Sequence, residues 1–335
     1  MKIVFFELEQ WEKEMIDPYF QGHEVVYVDD IVDINHMPVH TDADVICVFV
    51  NSRIDASVLM RFSQLKMIAT RSTGYDHIDI AAANAAGVTV SYVPGYGDHT
   101  VAEFAFGLIL ALSRKLYQSI DQIKETGSFS LHGLRGFDLK DKTIGIVGTG
   151  RIGKCAIQIA KGFGMKPIAF DIFPDIVFGQ KNDVSYVSFP EILKMSDVIS
   201  IHCPLTEKTK HLINTENVAT MKKGVVVVNT ARGPIIQTEA LIKGLREGII
   251  AGVGLDVLEE EGDTKDEVHS LANDNADINR LRIILQNHAL MHMPNVMITP
   301  HNAFNTKEAL ARILETTAQN IKNFMEGKPC TCVPK

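Results

Sequence analysis

Three groups able to share one reaction stand just past short apolar runs. Arg232 follows Val225–Val228, the acids Asp256 and Glu259–Glu261 follow Ala251–Leu255, and His301 follows Asn295–Thr299. The forked N–H donors of an arginine bind a carboxylate and polarise a neighbouring ketone. A histidine supplies a proton near neutral pH, and an adjacent carboxylate holds its tautomer and favours its charged form. Together they are the inventory for hydride transfer to a 2-oxo acid. Each has a plainer role open to it: Arg232 could pair with an acid, His301 could cap a helix, and any of the glutamates could belong to a solvated loop. Their shared placement favours chemistry, because ligands of open parallel sheets bind beyond the carboxyl ends of the strands.

A redox partner is implied by residues 143–171. The run Thr143–Gly148 suits a buried strand, Gly148, Gly150 and Gly153 form G-x-G-x-x-G, helical spacing follows over Lys154–Lys161, and Lys166–Phe170 makes a second strand ending at Asp171. One glycine permits the tight turn, the next lets backbone amides approach a pyrophosphate, and the third lets helix and strand pack closely. The helix start offers free N–H groups and the positive end of its dipole to phosphate. A carboxylate about 20 residues on accepts hydrogen bonds from ribose hydroxyls. Asp171 would repel a 2′-phosphate, and Ile172 and Phe173 bring no cation to bind one. The spacing therefore reads as an NAD site rather than an NADP site.

The elements that must position these groups form two alternating series. Lys2–Leu8, His23–Asp29, Asp44–Val50, Leu65–Thr70 and Val88–Val93 read as five parallel strands, with a helix over Ile80–Ala86 capped by Asp79 and stopped by Gly87. Thr100 and Glu103 have capping-box spacing and open an apolar helix through Leu116. The stretch Thr100–Tyr117 is apolar around most of its circumference and so should be buried between domains or subunits. The second series has six strands: Thr143–Gly148, Lys166–Phe170, Val198–His202, Val225–Asn229, Ala251–Asp256 and Asn295–Thr299. A last helix, Thr306–Met325, returns to the first domain. The expected fold is α/β, with two doubly wound parallel-sheet domains: a flavodoxin-like substrate domain (1–98 and 303–335, discontinuous) and a Rossmann NAD domain (99–302), with the active site in the cleft between them.

Bulk properties narrow the partners. With 335 residues, 46% of them hydrophobic and 22% charged, the chain can hold two domains with sizeable cores. A net charge of −8 and no basic run argue against nucleic acid or an anionic membrane surface. The longest apolar stretch, Phe104–Leu112, is too short for a bilayer. The start reads as a strand rather than a signal peptide. Five cysteines without a disulfide pattern fit a reducing cytoplasm, and the Cys330/Cys332 pair reads as an incidental tail. No metal is expected: His288 and His292 lack a third ligand, and Glu259–Glu261 with Asp263, Asp266 and Glu267 lack the alternation of a calcium loop.

These motifs resemble those of the NAD-dependent D-2-hydroxyacid dehydrogenases, and the resemblance covers nearly the whole chain. It is carried by Val147-Gly-Thr-Gly-Arg-Ile-Gly153 with Asp171, by Val228-Asn-Thr-Ala-Arg-Gly233, by Gly254-Leu-Asp-Val-Leu-Glu-Glu-Glu261 and by Thr299-Pro-His301. It implies Arg232, Glu261 and His301 as the catalytic set, which selects one of the three glutamates. It also implies that Arg151 and Ile152 touch the pyrophosphate side, that Cys203, Pro204 and Thr209 flank the adenosine, and that Thr230, Ala231 and Asp256 face the nicotinamide. Arg71–Asp79 resembles the loop whose backbone N–H groups hold the substrate carboxylate, at Ser72, Thr73 and Gly74. Within the family the lactate-type branch is nearest: Tyr96 matches its substrate-facing tyrosine and Phe304 an apolar wall, while Asn51 stands where an aromatic is common. The implied reaction is pyruvate to D-lactate with NADH in a homodimer. The alternatives are a glyoxylate or hydroxypyruvate reductase and, from another class, an NAD-sensing corepressor.

Overall fold

The structure, a computed structural model, describes residues 1–261 and 278–334. The chain forms two compact units, Met1–Tyr96 with Asn305–Lys335, and Gly97–Phe304.

The first unit is built on five parallel strands, β1 (Lys2–Phe6), β2 (Glu24–Val28), β3 (Val45–Val48), β4 (Met67–Thr70) and β5 (Thr89–Ser91), in the order β2-β1-β3-β4-β5. In β1 the four residues Ile3, Val4, Phe5 and Phe6 are all fully buried, so both faces of the sheet are covered. Continuous apolar runs of this kind mark parallel strands packed on both sides. Val4 and Phe6 join one core, while Ile3 and Phe5 join a second that includes Leu314, Ala318 and Ile321. The returning helix Lys307–Met325 thus closes one face, and Thr306 caps it by accepting the Ala309 N–H. Asp79 caps Ile80–Ala85 in the same way through the Ala82 N–H.

The second unit has seven parallel strands: β6 (Thr143–Val147), β7 (Lys166–Phe170), β8 (Ser185–Tyr186), β9 (Val198–Ile201), β10 (Val225–Asn229), β11 (Ile250–Leu255) and β12 (Val296–Ile298). Their order is β12-β11-β10-β9-β6-β7-β8. The sequence reading finds six of them and misses β8. That two-residue edge strand carries no apolar run and pairs only through Ile168–Ser185 and Ala169–Tyr186.

Two further expectations need correction. The apolar helix spans Asp98–Ser113 and not Thr100–Leu116: Gly97 is its cap, no side chain caps it, and Thr100 lies buried in its first turn. The chain breaks at Arg114 and Lys115, the latter with φ of 55°, before a separate helix, Leu116–Thr126. Ala102, Ala105, Phe106, Leu108, Ile109 and Leu112 are buried in the core of their own unit, while Phe104 and Leu110 are partly buried. The other correction is in the tail, where Cys330 and Cys332 are joined as a disulfide while Cys47, Cys155 and Cys203 are free. None of the described helices is long and apolar enough to cross a membrane.

Candidate active site

The glycine loop leaves β6 with the geometry that a dinucleotide phosphate requires. Gly148 has φ of 92°, and a Cβ there would come within 2.7 Å of the Cys203 backbone nitrogen. A Cβ on Gly153 would collide with the Gly148 carbonyl, which is how closely helix and strand approach. A Cβ on Gly150 would meet nothing within 4 Å. The three glycines therefore divide into two required by the protein's own packing and one that keeps the approach to the backbone open. Gly150 caps the helix Arg151–Gly162 without a side-chain bond, leaving the first-turn N–H groups for an anion.

Asp171 follows β7 and is held from two sides. Its Oδ2 accepts the Thr149 N–H at 2.6 Å and the Thr149 hydroxyl at 2.9 Å, and its Oδ1 accepts the Phe173 N–H at 2.9 Å. Partial burial works against its charge, but the donors from Phe173 and Thr149 outweigh it and hold the carboxyl below the usual aspartate range. Tyr186, on the strand missed in the sequence, donates its hydroxyl to Thr149 at 3.0 Å and so braces the arrangement.

Around this edge, Arg151 is turned to Asp98, with Nε to Oδ2 at 2.7 Å, and Ile152 packs partly against the core. Burial pushes the Cys203 thiol up to about 11, so it stays protonated. The Thr209 hydroxyl donates to the Pro204 carbonyl at 2.7 Å. Thr230 is buried, and its Oγ1 has no hydrogen-bond partner among the described residues. An unsatisfied buried hydroxyl in a native protein calls for a partner. Together with the open Gly150 and the charged Asp171, it fits a bound dinucleotide.

The acids after β11 take three different partners. Glu259 is buried, accepts the Thr238 N–H and hydroxyl, each at 2.7 Å, and bonds His211 Nε2 at 2.6 Å. Glu260, with φ of 50°, faces Arg280 Nε at 3.2 Å. Glu261 alone reaches His301, Oε1 to Nδ1 at 3.2 Å, and both side chains keep about a quarter of their surface exposed, 24% and 27%. Asp263, Asp266 and Glu267 lie outside the described residues. His292 bonds the His288 carbonyl through Nδ1 at 2.8 Å, and no cluster of three metal-ligating side chains occurs among the described residues.

Asp256 arranges the histidine loop. Its two oxygens accept the Thr299 hydroxyl at 2.5 Å, the Asn302 N–H at 2.8 Å and the Ala303 N–H at 2.8 Å, while its carbonyl accepts the His301 N–H at 2.9 Å. Burial still pushes its carboxyl above the ordinary range. These bonds support His301 at φ of 53°, a left-handed conformation that costs a non-glycine residue energy. Phe304 sits edge-on to the imidazole, with ring centres 6.5 Å apart.

Arg232 leaves β10 on a tight loop in which Asn229 accepts the Ala231 N–H at 3.0 Å and donates to the Arg232 carbonyl at 2.8 Å. Its Nη1 donates to the Ala231 carbonyl at 2.8 Å, and the residue is half-buried. A Cβ on Gly233 would run into the Leu258 carbonyl, so the arginine loop lies flat against the start of the acidic loop. Thr149 and Asn229 are the supports that the sequence reading passed over. The signal was there: a hydroxyl inside the glycine loop and an asparagine before a tight turn.

In the first unit, Ser72 spends its hydroxyl on the Gly74 carbonyl at 2.5 Å and Thr73 spends its own on the Val93 carbonyl at 2.7 Å. The side chains shape the loop after β4. The backbone N–H groups of Thr73 and Gly74 donate to no described residue. The Tyr96 carbonyl accepts Arg312 Nε at 2.7 Å.

Comparison with known proteins places this geometry. Residues 106–303 match the family described as D-isomer specific 2-hydroxyacid dehydrogenase, NAD binding domain. The chain is 36% identical to a D-lactate dehydrogenase of Escherichia coli over 98% of each protein. A solved structure from work on the pyruvate reductase of Chlamydomonas reinhardtii superposes with a TM-score of 0.86 at 37% identity, covering 98% of this chain and 97% of that one. The D-lactate dehydrogenase of Aquifex aeolicus, solved with NAD and lactic acid, gives 0.86 at 32% identity over 97% and 96%.

Proposed function

This chain belongs to the D-isomer specific 2-hydroxyacid dehydrogenases, NAD-dependent oxidoreductases acting on CH–OH groups, and we propose that its reaction is the reversible reduction of pyruvate to D-lactate. The observation that carries this reading is the Glu261–His301 pair at 3.2 Å, set on the same strand-end edge as Arg232. Relatives named D-lactate dehydrogenase and pyruvate reductase support the choice of acid.

NADH, when bound, supplies the hydride to the ketone carbon. Arg232 grips the substrate carboxylate and ketone oxygen through parallel N–H donors and stabilises the charge that gathers on that oxygen. His301 gives the oxygen its proton from Nε2, because Nδ1 is turned to Glu261. Glu261 keeps that tautomer and orientation. Gly148, Gly150, Gly153, Arg151 and Ile152 serve the pyrophosphate side, Asp171 the ribose, Cys203, Pro204 and Thr209 the adenosine, and Thr230, Ala231 and Asp256 the nicotinamide. The N–H groups of Ser72, Thr73 and Gly74 receive the carboxylate, with Tyr96 and Phe304 beside the rest of the substrate. On this assignment Gly97–Phe304 is the NAD unit and the remainder the substrate unit.

A homodimer in the cytoplasm completes the proposal. Leu116, Tyr117, Ile120 and Ile123 on one helix, with Phe129 and Leu131, are exposed apolar residues that a second copy would cover. The mass in solution at micromolar concentration should be twice the 37.1 kDa of the chain; a monomer would refute this part. For the reaction, NADH consumption across a panel of 2-oxo acids should be fastest with pyruvate and yield the D-isomer. Absence of turnover with every acid would leave an NAD-binding sensor instead.

A further inference from the structure

At the carboxyl end of β1 the chain turns on Glu7, whose φ of 57° is left-handed and costly for a residue with a side chain. Such strain persists where neighbours over-determine it. One oxygen of the Glu7 carboxylate accepts the Ser52 hydroxyl at 2.5 Å and the Phe49 N–H at 3.3 Å, and the other accepts Asn51 Nδ2 at 3.0 Å. The Glu7 carbonyl accepts Arg71 Nη2 at 2.6 Å. An acid after β1 is thus tied to the segment after β3.

In the order β2-β1-β3-β4-β5, β1 and β3 lie side by side where the strand order reverses. Ligands of sheets with this order bind outside the carboxyl ends at that point. Because a carboxylate only accepts hydrogen bonds, Asn51 must turn its amide nitrogen to Glu7 and leave Oδ1 facing away. Asn51 is exposed, and no described residue donates to that oxygen. Glu7 Oε2 receives a single donor and keeps a second acceptor position. The switch point therefore presents acceptors and a negative charge.

We propose that Glu7 and Asn51 are specificity-determining residues that open the substrate site, beyond pyruvate, to 2-oxo acids bearing a hydroxyl on C3 and close it to those bearing a second carboxylate. The inference rests on the reading that Thr73 and Gly74, after β4, hold the substrate carboxylate. Adjacent strands lie about 4.8 Å apart, so the far end of a three-carbon acid anchored after β4 reaches the end of β3. A C3 hydroxyl donates to Asn51 Oδ1 or Glu7 Oε2. A methyl group makes no such bond, and a carboxylate there meets like charge.

The test measures kcat/KM with NADH for pyruvate, hydroxypyruvate and oxaloacetate in the full-length protein and in Asn51→Leu, Glu7→Gln and Glu7→Gly. Asn51→Leu should lower the hydroxypyruvate-to-pyruvate ratio by about tenfold or more, as expected when a hydroxyl loses its hydrogen-bonding partner. Glu7→Gln should raise the oxaloacetate-to-pyruvate ratio by about tenfold or more, since an amide does not repel the second carboxylate. Glu7→Gly removes the carboxylate while relaxing the left-handed backbone, so it should fold even where Gln does not and shift both ratios in the same directions. Ratios that stay at the wild-type values overturn the proposal. Failure of the wild-type protein to reduce any of the three acids overturns the functional reading instead.

Discussion

Arg71 and Arg232 occupy equivalent places, each just past the carboxyl end of a central parallel strand, β4 in one unit and β10 in the other. Their surroundings are opposite. The Arg71 side chain is 3% exposed, pairs with Glu12 at 2.8 Å, and spends Nη2 on the carbonyls of Phe6 and Glu7. Arg232 is half-buried and rests against the carbonyl of its own neighbour, Ala231. The first arginine is consumed by the fold, whereas the second keeps part of its surface exposed. Position at a strand end selects both; only the burial of the charged head tells a structural arginine from one that can meet a ligand.

The sharpest way to break this contrast is to remove each head in turn. Arg71→Met keeps the apolar stem over the Phe49 ring, 5.0 Å from the guanidinium centre, but leaves Glu12 buried without its cation. Losing one partner of a buried pair costs roughly 3–5 kcal/mol. Burial already pushes the Glu12 carboxyl up, with Arg71 opposing it. The mutant carboxyl should rise further, so its stability should fall as pH rises through that value and recover on acidification. Urea unfolding at two pH values checks both size and sign. A loss below about 1 kcal/mol would mean that Arg71 is not structural.

Arg232→Lys should do the reverse, leaving the unfolding midpoint unchanged and lowering turnover. An ammonium cannot make two parallel bonds to carboxylate and ketone oxygens, and the missing donor acts where charge develops. The expected loss is roughly 3–4 kcal/mol in kcat/KM, on the order of a few hundredfold, with NADH binding intact. Near-normal kinetics with pyruvate would end the proposed mechanism.

A finer version of the same comparison lies within three consecutive residues. Glu259→Gln removes a buried acceptor shared by His211 and Thr238, so it should lower stability by about 1–3 kcal/mol. Glu261→Gln should leave stability alone and lower kcat by about tenfold, because the charged bond to His301 is worth about 1.5 kcal/mol or more. Parallel melting curves and kinetics separate the two. Equal effects in both assays would show that the loop acts as one unit.

What the sequence discloses follows from the same physics. The strands of the described residues are legible where both faces are buried, because Val, Ile and Phe then run without interruption, as in Ile3–Phe6 and Val225–Val228. Ser185–Tyr186 sits on an edge and needs no such run. The break at Lys115 carries no glycine or proline, and the spacing of Thr100 and Glu103 imitates a cap that Gly97 supplies. The glycine turn and the placing of Asp171 at the end of β7 are legible because their spacing is that of a strand, a tight turn and a helix. The choice among Glu259, Glu260 and Glu261 is not, because three identical side chains differ only in where the backbone points them. Resemblance chose Glu261; the geometry shows a separate partner for each.

The smallest expected effect concerns Asp171, whose carboxyl is held below the ordinary aspartate range by donors from Phe173 and Thr149 despite partial burial. A depressed acid stays charged through the whole range in which an ordinary one, near pKa 3.9, is ionised. On the proposed assignment, the charge that would accept the ribose hydroxyls and repel a 2′-phosphate should therefore persist through the neutral range. The NADH dissociation constant should be flat from about pH 5 to 8, and the stability that the ionised group contributes should be lost only as pH falls below that range. Thr149→Val removes the hydroxyl bond to Oδ2 and leaves the Thr149 N–H bond, so the lower end of the plateau should move upward. Fluorescence titration of NADH across pH in both proteins measures this directly. Binding that weakens steadily from pH 8 to about pH 5 in the wild type would assign ribose recognition to a group that titrates there, and Asp171 would lose that role.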